Sequence, residues 1–137
     1  MNIGKLSDAT GVKVPTIRYY EQIGLLPVPP RTQSNRRLYG AADVQRLAFI
    51  RHARELGFEI NPIRTLLTLQ DDPGQPCGTA DTIARARLSE VEQRIARLEA
   101  LKAELERMID GCSHGRVAEC RVIEALASRA GGPAASL

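Results

Sequence analysis

Cys77, Cys112 and Cys120, with His114 two residues after the second, are the side chains whose types and spacing could do chemistry. Thiolates are soft ligands suited to thiophilic metal ions. Two thiols near each other can also close a disulfide, which makes a redox switch the rival use. A free cysteine can be merely a small buried hydrophobe, but that does not explain why all three gather at the two ends of one helical segment. Three thiolates bring more charge and more ligands than a two-coordinate cation needs, which favours Zn²⁺, Cd²⁺, Pb²⁺ or Hg²⁺ over Cu⁺. His114 can complete a tetrahedral zinc site or stand idle in a loop. His52 sits in a helical pattern among arginines and reads as a surface group. The odd cysteine count argues against a secreted disulfide framework, so the chain reads as cytoplasmic with reduced thiols. An iron–sulfur centre would call for four cysteines.

The element that must position these thiols is a helix over residues 80–111. Leu88, Val91, Ile95, Leu98, Leu101, Leu105 and Met108 recur at steps of three and four, and nearly everything between them is charged. That is a coiled-coil seam. About 30 helical residues span about 45 Å, too long for a small domain to cover, so the seam is expected to pair with a second copy of itself. Ala84, Val91, Leu98 and Leu105 step by seven, and the next member is Cys112, just past Gly111. In an antiparallel homodimer the start of one helix lies beside the end of the other. Cys77 of one subunit would then meet Cys112 and Cys120 of its partner.

Ahead of that helix the chain is basic. Residues 1–70 carry ten Lys/Arg against five Asp/Glu; residues 71–137 carry nine against eleven. A polyanion partner is expected for the first part only. There, residues 3–10 read as a short helix with Ile3, Leu6 and Ala9 on one side, Gly11-Val12 as a tight turn, and residues 16–23 as a second helix with Pro15 at its start. This is a helix-turn-helix pattern. Thr16, Arg18 and Tyr19 fall at its outer positions, while Ile17, Tyr20 and Ile23 face inward; Lys13, just ahead of the helix, joins them as a DNA-binding candidate. A proline-rich connector follows, then two short extended pieces around a Ser34-Asn35 turn flanked by Arg31, Arg36 and Arg37: a wing suited to a phosphate backbone. Helices over 41–56 (Val44, Leu47, Ile50 or Ala48, and Ala53 inward) and about 61–69 (Ile63, Leu66, Leu67, Leu69) complete the domain. The expected organisation is a DNA-binding domain over 1–70, a turn-rich linker over 71–79, the dimerisation helix over 80–111, a metal-binding loop and short helix over 112–128, and a flexible tail over 129–137. No apolar run approaches a membrane span, and the first residues do not read as a signal peptide.

The segment TIRYYEQIGLL at 16–26, followed by Arg31, Arg37 and Tyr39, resembles the MerR family of bacterial transcription regulators, as does RHARELGF at 51–58. The loop and helix CSHGRVAECRVIEAL look most like the family's heavy-metal-sensing branch. The resemblance implies a mainly α fold: a winged helix-turn-helix domain, a long antiparallel coiled-coil dimerisation helix, and a short C-terminal metal-binding loop and helix. It implies a homodimer on double-stranded promoter DNA, acting as repressor or activator by realigning promoter elements for RNA polymerase. It implies DNA contacts from Arg18, Tyr19, Arg31, Arg37 and Tyr39; Asn35-Arg36 departs from the wing tip common in relatives, and Arg36 adds a phosphate contact. It implies a metal site at Cys112 and Cys120, and cysteine rather than serine at position 77 places the chain with divalent sensors. The alternatives are a Cu(I), Ag(I) or Au(I) sensor using Cys112 and Cys120 alone, or a thiol redox regulator. An enzyme is the least supported class, since the chain has no nucleophile–base motif and no phosphate-cradling glycine loop. A metallochaperone would not explain the basic half, and a small-molecule sensor would need a larger, more aromatic C-terminal part.

Overall fold

The computed structural model describes residues 1–34, 36–111, 115–117 and 120–128. Six helices follow one another: α1 (Ile3–Thr10), α2 (Val14–Gln22), α3 (Ala41–Glu55), α4 (Ile60–Gln70), α5 (Gly78–Asp110) and α6 (Arg121–Ser128). No strand is formed among the described residues, so the fold is mainly α. The chain divides into two compact units, residues 1–87 and 88–137. No helix among the described residues is long and apolar enough to cross a membrane.

In the first unit, local chemistry sets the helix ends. The Asn2 side chain accepts from the Lys5 N–H at 2.8 Å and starts α1. Gly11, at φ 72°, ends it in the left-handed conformation and donates back to Ser7 O. Pro15 sits in the first turn of α2, where a missing N–H costs nothing. The Asp43 carboxylate accepts from the Gly40 N–H at 2.8 Å and opens α3. Helix α1 packs on α2 and α3, and α3 on α4. Their shared core is aliphatic, built on Leu6, Ile17, Leu47, Ile50, Ala53, Ile63 and Leu67. Ile50, not Ala48, is therefore the inward residue of α3.

One local expectation changes, and two are refined. Ala9 is exposed, and Thr10 takes the inward position one step further on. Thr10 can be buried because it is satisfied locally: its hydroxyl donates to Leu6 O at 2.9 Å and accepts from the Val12 N–H. The proline-rich connector begins inside the core, since Leu25 and Leu26 are both buried and both donate to Tyr20 O after Gly24 turns the chain at φ 76°. The wing's two short extended pieces pair only briefly. A single antiparallel bridge joins Arg31 and Arg37, and Thr32 closes the turn with its N–H on Arg36 O at 2.7 Å and its hydroxyl oxygen accepting from the Arg36 N–H. Pro29 and Pro30 just upstream lack ladder donors, which keeps the pairing to one bridge. Asn35, at the expected tip, lies outside the described residues.

Helix α5 starts two residues earlier than residue 80, directly after Cys77. The Cys77 carbonyl accepts the Asp81 N–H at 3.0 Å, and Asp81 pairs with Arg85 one turn on. The first turns of α5 belong to the first unit, where Arg87 Nε donates to Leu56 O at 2.9 Å. In the second unit the rest of α5 carries its apolar stripe bare: Leu88, Ile95, Leu98 and Leu105 are about half exposed or more. Helix α6 leaves Ile123 and Leu126 exposed as well.

Candidate nucleic-acid interface and metal centre

Helix α2 and the wing converge on one open cleft of about 770 Å³ in the first unit. Arg18 reaches it from α2. Arg31, Arg36 and Arg37 reach it from the wing, whose single bridge holds Arg31 opposite Arg37. Four guanidinium groups thus gather around one concavity that the sequence spreads over twenty residues. Tyr39 also lines the cleft, but its side chain is only 3% exposed and its hydroxyl donates to Glu21 Oε2 at 2.9 Å. Burial first, and then that hydrogen bond to Glu21, raise the Tyr39 phenol above its ordinary value of 10.0. The expected direct DNA contact from Tyr39 therefore meets a side chain taken up by the core. Lys13, Thr16 and Tyr19 do not line the cleft. Lys13 is exposed just before α2, Thr16 is half-buried, and Tyr19 is half-exposed with its ring 6.0 Å from that of Tyr20. A rim of arginines over a concave surface is suited to phosphodiester oxygens, which guanidinium groups meet in bidentate fashion.

The two described thiols sit at helix starts. Cys77 is exposed immediately before α5, and Cys120 is half-buried immediately before α6, where its carbonyl accepts the Glu124 N–H at 2.9 Å. Neither is in a disulfide. Cys112 and His114 lie outside the described residues. Among the described residues of one chain, no three His, Cys, Asp or Glu side chains group as a metal site. The seam residues Leu88, Ile95, Leu98 and Leu105 are exposed, while Val91, Leu101 and Met108 are half-buried.

Residues 1–70 match the family described as "MerR HTH family regulatory protein", and residues 44–108 match "MerR, DNA binding". The chain belongs to the MerR family. The HTH-type transcriptional regulator ZntR of Escherichia coli (strain K12) is 42% identical over 134 residues, which is 95% of this chain and 94% of that protein. Among solved structures, the transcription regulator PbrR691 from Ralstonia metallidurans CH34 in complex with lead(II) is 37% identical with a TM-score of 0.78, covering 92% of this chain and 98% of that one. The dual function transcriptional regulator MerR from Bacillus megaterium MB1 in complex with mercury(II) is 32% identical with a TM-score of 0.66, covering 93% and 99%. As a MerR family member the chain is a DNA-binding regulator and not an enzyme.

Three arginines and a glutamate complete this MerR chain in ways sequence reasoning missed. Glu21 is buried under the cleft, with its carboxylate between Tyr39 and Arg37 Nη1, the latter at 3.4 Å. Its signal was present: Glu21 lies four residues after the inward-facing Ile17, on the stripe that also holds Tyr20. Arg46 donates to Leu25 O at 3.1 Å and pairs with Asp71 at 3.2 Å. Arg51 donates to Thr10 O and lies against Gly11, so that a side chain at Gly11 would strike its guanidinium. Arg87 likewise covers Gly57, at φ 86°. All three read as surface charge in the sequence; Arg51 and Arg87 serve backbone carbonyls at helix ends, where orphan acceptors need donors, and Arg46 serves one in the connector after α2.

Proposed function

We propose that this MerR protein binds promoter DNA as a cytoplasmic homodimer and switches transcription of metal-resistance genes when a divalent thiophilic ion is bound. The observation that carries the reading is the cleft where Arg18 of α2 and Arg31, Arg36 and Arg37 of the wing converge. Its contacts are backbone contacts, so they set orientation on the duplex. The bare stripe of α5 supports pairing of two chains. An exposed apolar row of this length is unusual on a monomer and is what a coiled-coil partner buries.

Antiparallel pairing would bring Cys77 of one chain to Cys112 and Cys120 of the other, with His114 as a fourth candidate donor. The donor set fits: Cys77 and Cys120 are outside any disulfide and stand at helix starts, where the backbone N–H groups favour negatively charged ligands. A thiophilic divalent ion held there would tie the start of one long helix to the terminal loop of its partner. Arg87 joins the same stretch of α5 to the turn between α3 and α4, so that a change at Cys77 reaches the DNA-binding unit. Names of relatives support a divalent ion: one solved neighbour is a lead(II) complex and another a mercury(II) complex.

The test is an anaerobic titration of the reduced protein with Zn²⁺, Cd²⁺, Pb²⁺, Hg²⁺ and Cu⁺, followed by thiol accessibility at Cys77, Cys112 and Cys120. Protection of all three thiols by a divalent ion supports the intersubunit site, and the competition order names the inducer. Tight binding of Cu⁺ alone, with Cys77 still reactive, replaces this reading with a monovalent sensor that uses Cys112 and Cys120.

A further inference from the structure

The Glu21 side chain is only 4% exposed, yet it lies beneath a cleft rimmed by arginines. A buried carboxylate is costly unless it is paired and hydrogen-bonded, and an apolar residue of similar size usually serves stability as well or better. A negative charge beneath a phosphate-binding surface also opposes the ligand. Stability and bulk electrostatics therefore both argue against a glutamate here, and its surroundings indicate what it does. Oε2 accepts the Tyr39 hydroxyl at 2.9 Å, which fixes the carboxylate plane. Oε1 accepts from Arg37 Nη1 at 3.4 Å, and the Arg37 side chain is 36% exposed, standing between the buried carboxylate and solvent. A guanidinium carries five N–H donors in a rigid fork. Fixing one of them at Glu21 aims the rest.

We infer that Glu21 is a positioning residue for DNA binding: its carboxylate, oriented by Tyr39, holds the Arg37 guanidinium at the rim of the cleft in the attitude that meets a backbone phosphate. The inference rests on the DNA-interface reading of that cleft. Arg37 is also the residue bridged to Arg31, and Thr32 ties down its neighbour Arg36, so one buried carboxylate sets the base of the whole wing.

The experiment uses the full-length protein and a 30-bp duplex enriched from a random pool by the wild type, with affinity measured against salt concentration. Glu21→Gln keeps the shape and a hydrogen-bond acceptor for Tyr39. It should weaken binding about tenfold, as for loss of one charge-assisted contact, and lower the slope of log affinity against log salt by about one. In an Arg37→Gln background the same change should have no further effect. A residue with a structural role only would lower the unfolding temperature and leave the salt slope alone. If Glu21→Gln does not fold, Tyr39→Phe keeps the carboxylate but removes its orienting hydroxyl. That variant should show a smaller loss of the same kind, absent when Arg37 is also replaced. Equal or tighter binding by Glu21→Gln, an unchanged salt slope in Tyr39→Phe, or losses that add to that of Arg37→Gln would each overturn the positioning role. Arg18→Ala and Arg37→Gln both binding like the wild type would instead remove the DNA interface itself.

Discussion

The Tyr39 hydroxyl reaches a carboxylate that has almost no access to water, so removing it leaves Glu21 Oε2 without its donor. Tyr39→Phe should destabilise the protein by about 1–3 kcal/mol, the cost of leaving a buried acceptor unpaired, measured by urea unfolding at neutral pH. The same contact has a pH signature. Because burial, and next the bond to Glu21, raise the folded-state value of this phenol, its share of stability is complete below 10.0 and is lost as pH climbs from there through the raised value. Tyr39→Phe should flatten that alkaline loss, and an unchanged profile would show that Tyr39 titrates alike folded and unfolded. Arg18 is exposed on α2 and lines the cleft proposed for DNA, with no part in the core. Arg18→Ala should weaken operator binding while metal stoichiometry stays the same; unaltered affinity would take Arg18 off the contact surface.

Among the elements, α5 carries the longest bare apolar stripe, which a second copy is proposed to cover. Leu98 lies in the middle of its bare stripe, 58% exposed in the single chain. Placing a charge there should split the proposed dimer, because an unpaired carboxylate would have to enter an apolar seam. Leu98→Glu is expected to sediment as a monomer where the wild type sediments as a dimer. A variant that remained dimeric would move the interface off this stripe. Periodicity was sufficient to read these elements from the chain: α6 falls within the segment expected to hold the loop and short helix, and α1 to α4 fall within about two residues of their expected ends. It failed where a polar side chain satisfied itself locally. Thr10 displaced Ala9 from the core by bonding its own helix, and Gly78 and Thr79 joined α5 because the Cys77 and Gly78 carbonyls accept from Asp81 and Thr82. The wing's two extended pieces meet in a single bridge, with two prolines just upstream. In the candidate interface the arginines were legible as a group, since their charge is plain in the sequence. Glu21 was missed although its spacing from Ile17 put it on the inward stripe, because a linear pattern carries no mark of the Tyr39 and Arg37 partners that let a carboxylate be buried.

For the molecule as a whole, the division of charge separates two tasks. The basic first part holds the arginine-rimmed cleft proposed for the polyanion, and Cys77 of the same unit does not line it. Cys112→Ser should accordingly leave operator affinity nearly intact and abolish metal-stimulated transcription; loss of operator binding in that variant would break the proposed division. The compact first unit runs to residue 87, well beyond the last helix of the helix-turn-helix part. Asp71 supplies the carboxylate for Arg46, and Arg87 supplies the donor for Leu56 O across the Gly57 turn. This matters to anyone dissecting the gene. A truncation placed after residue 70 discards both fasteners along with the sensor, and the recombinant piece should melt earlier and be cut sooner by protease than one ending after residue 87. The seventeen codons between those two stop positions encode the foundation on which the DNA reader stands.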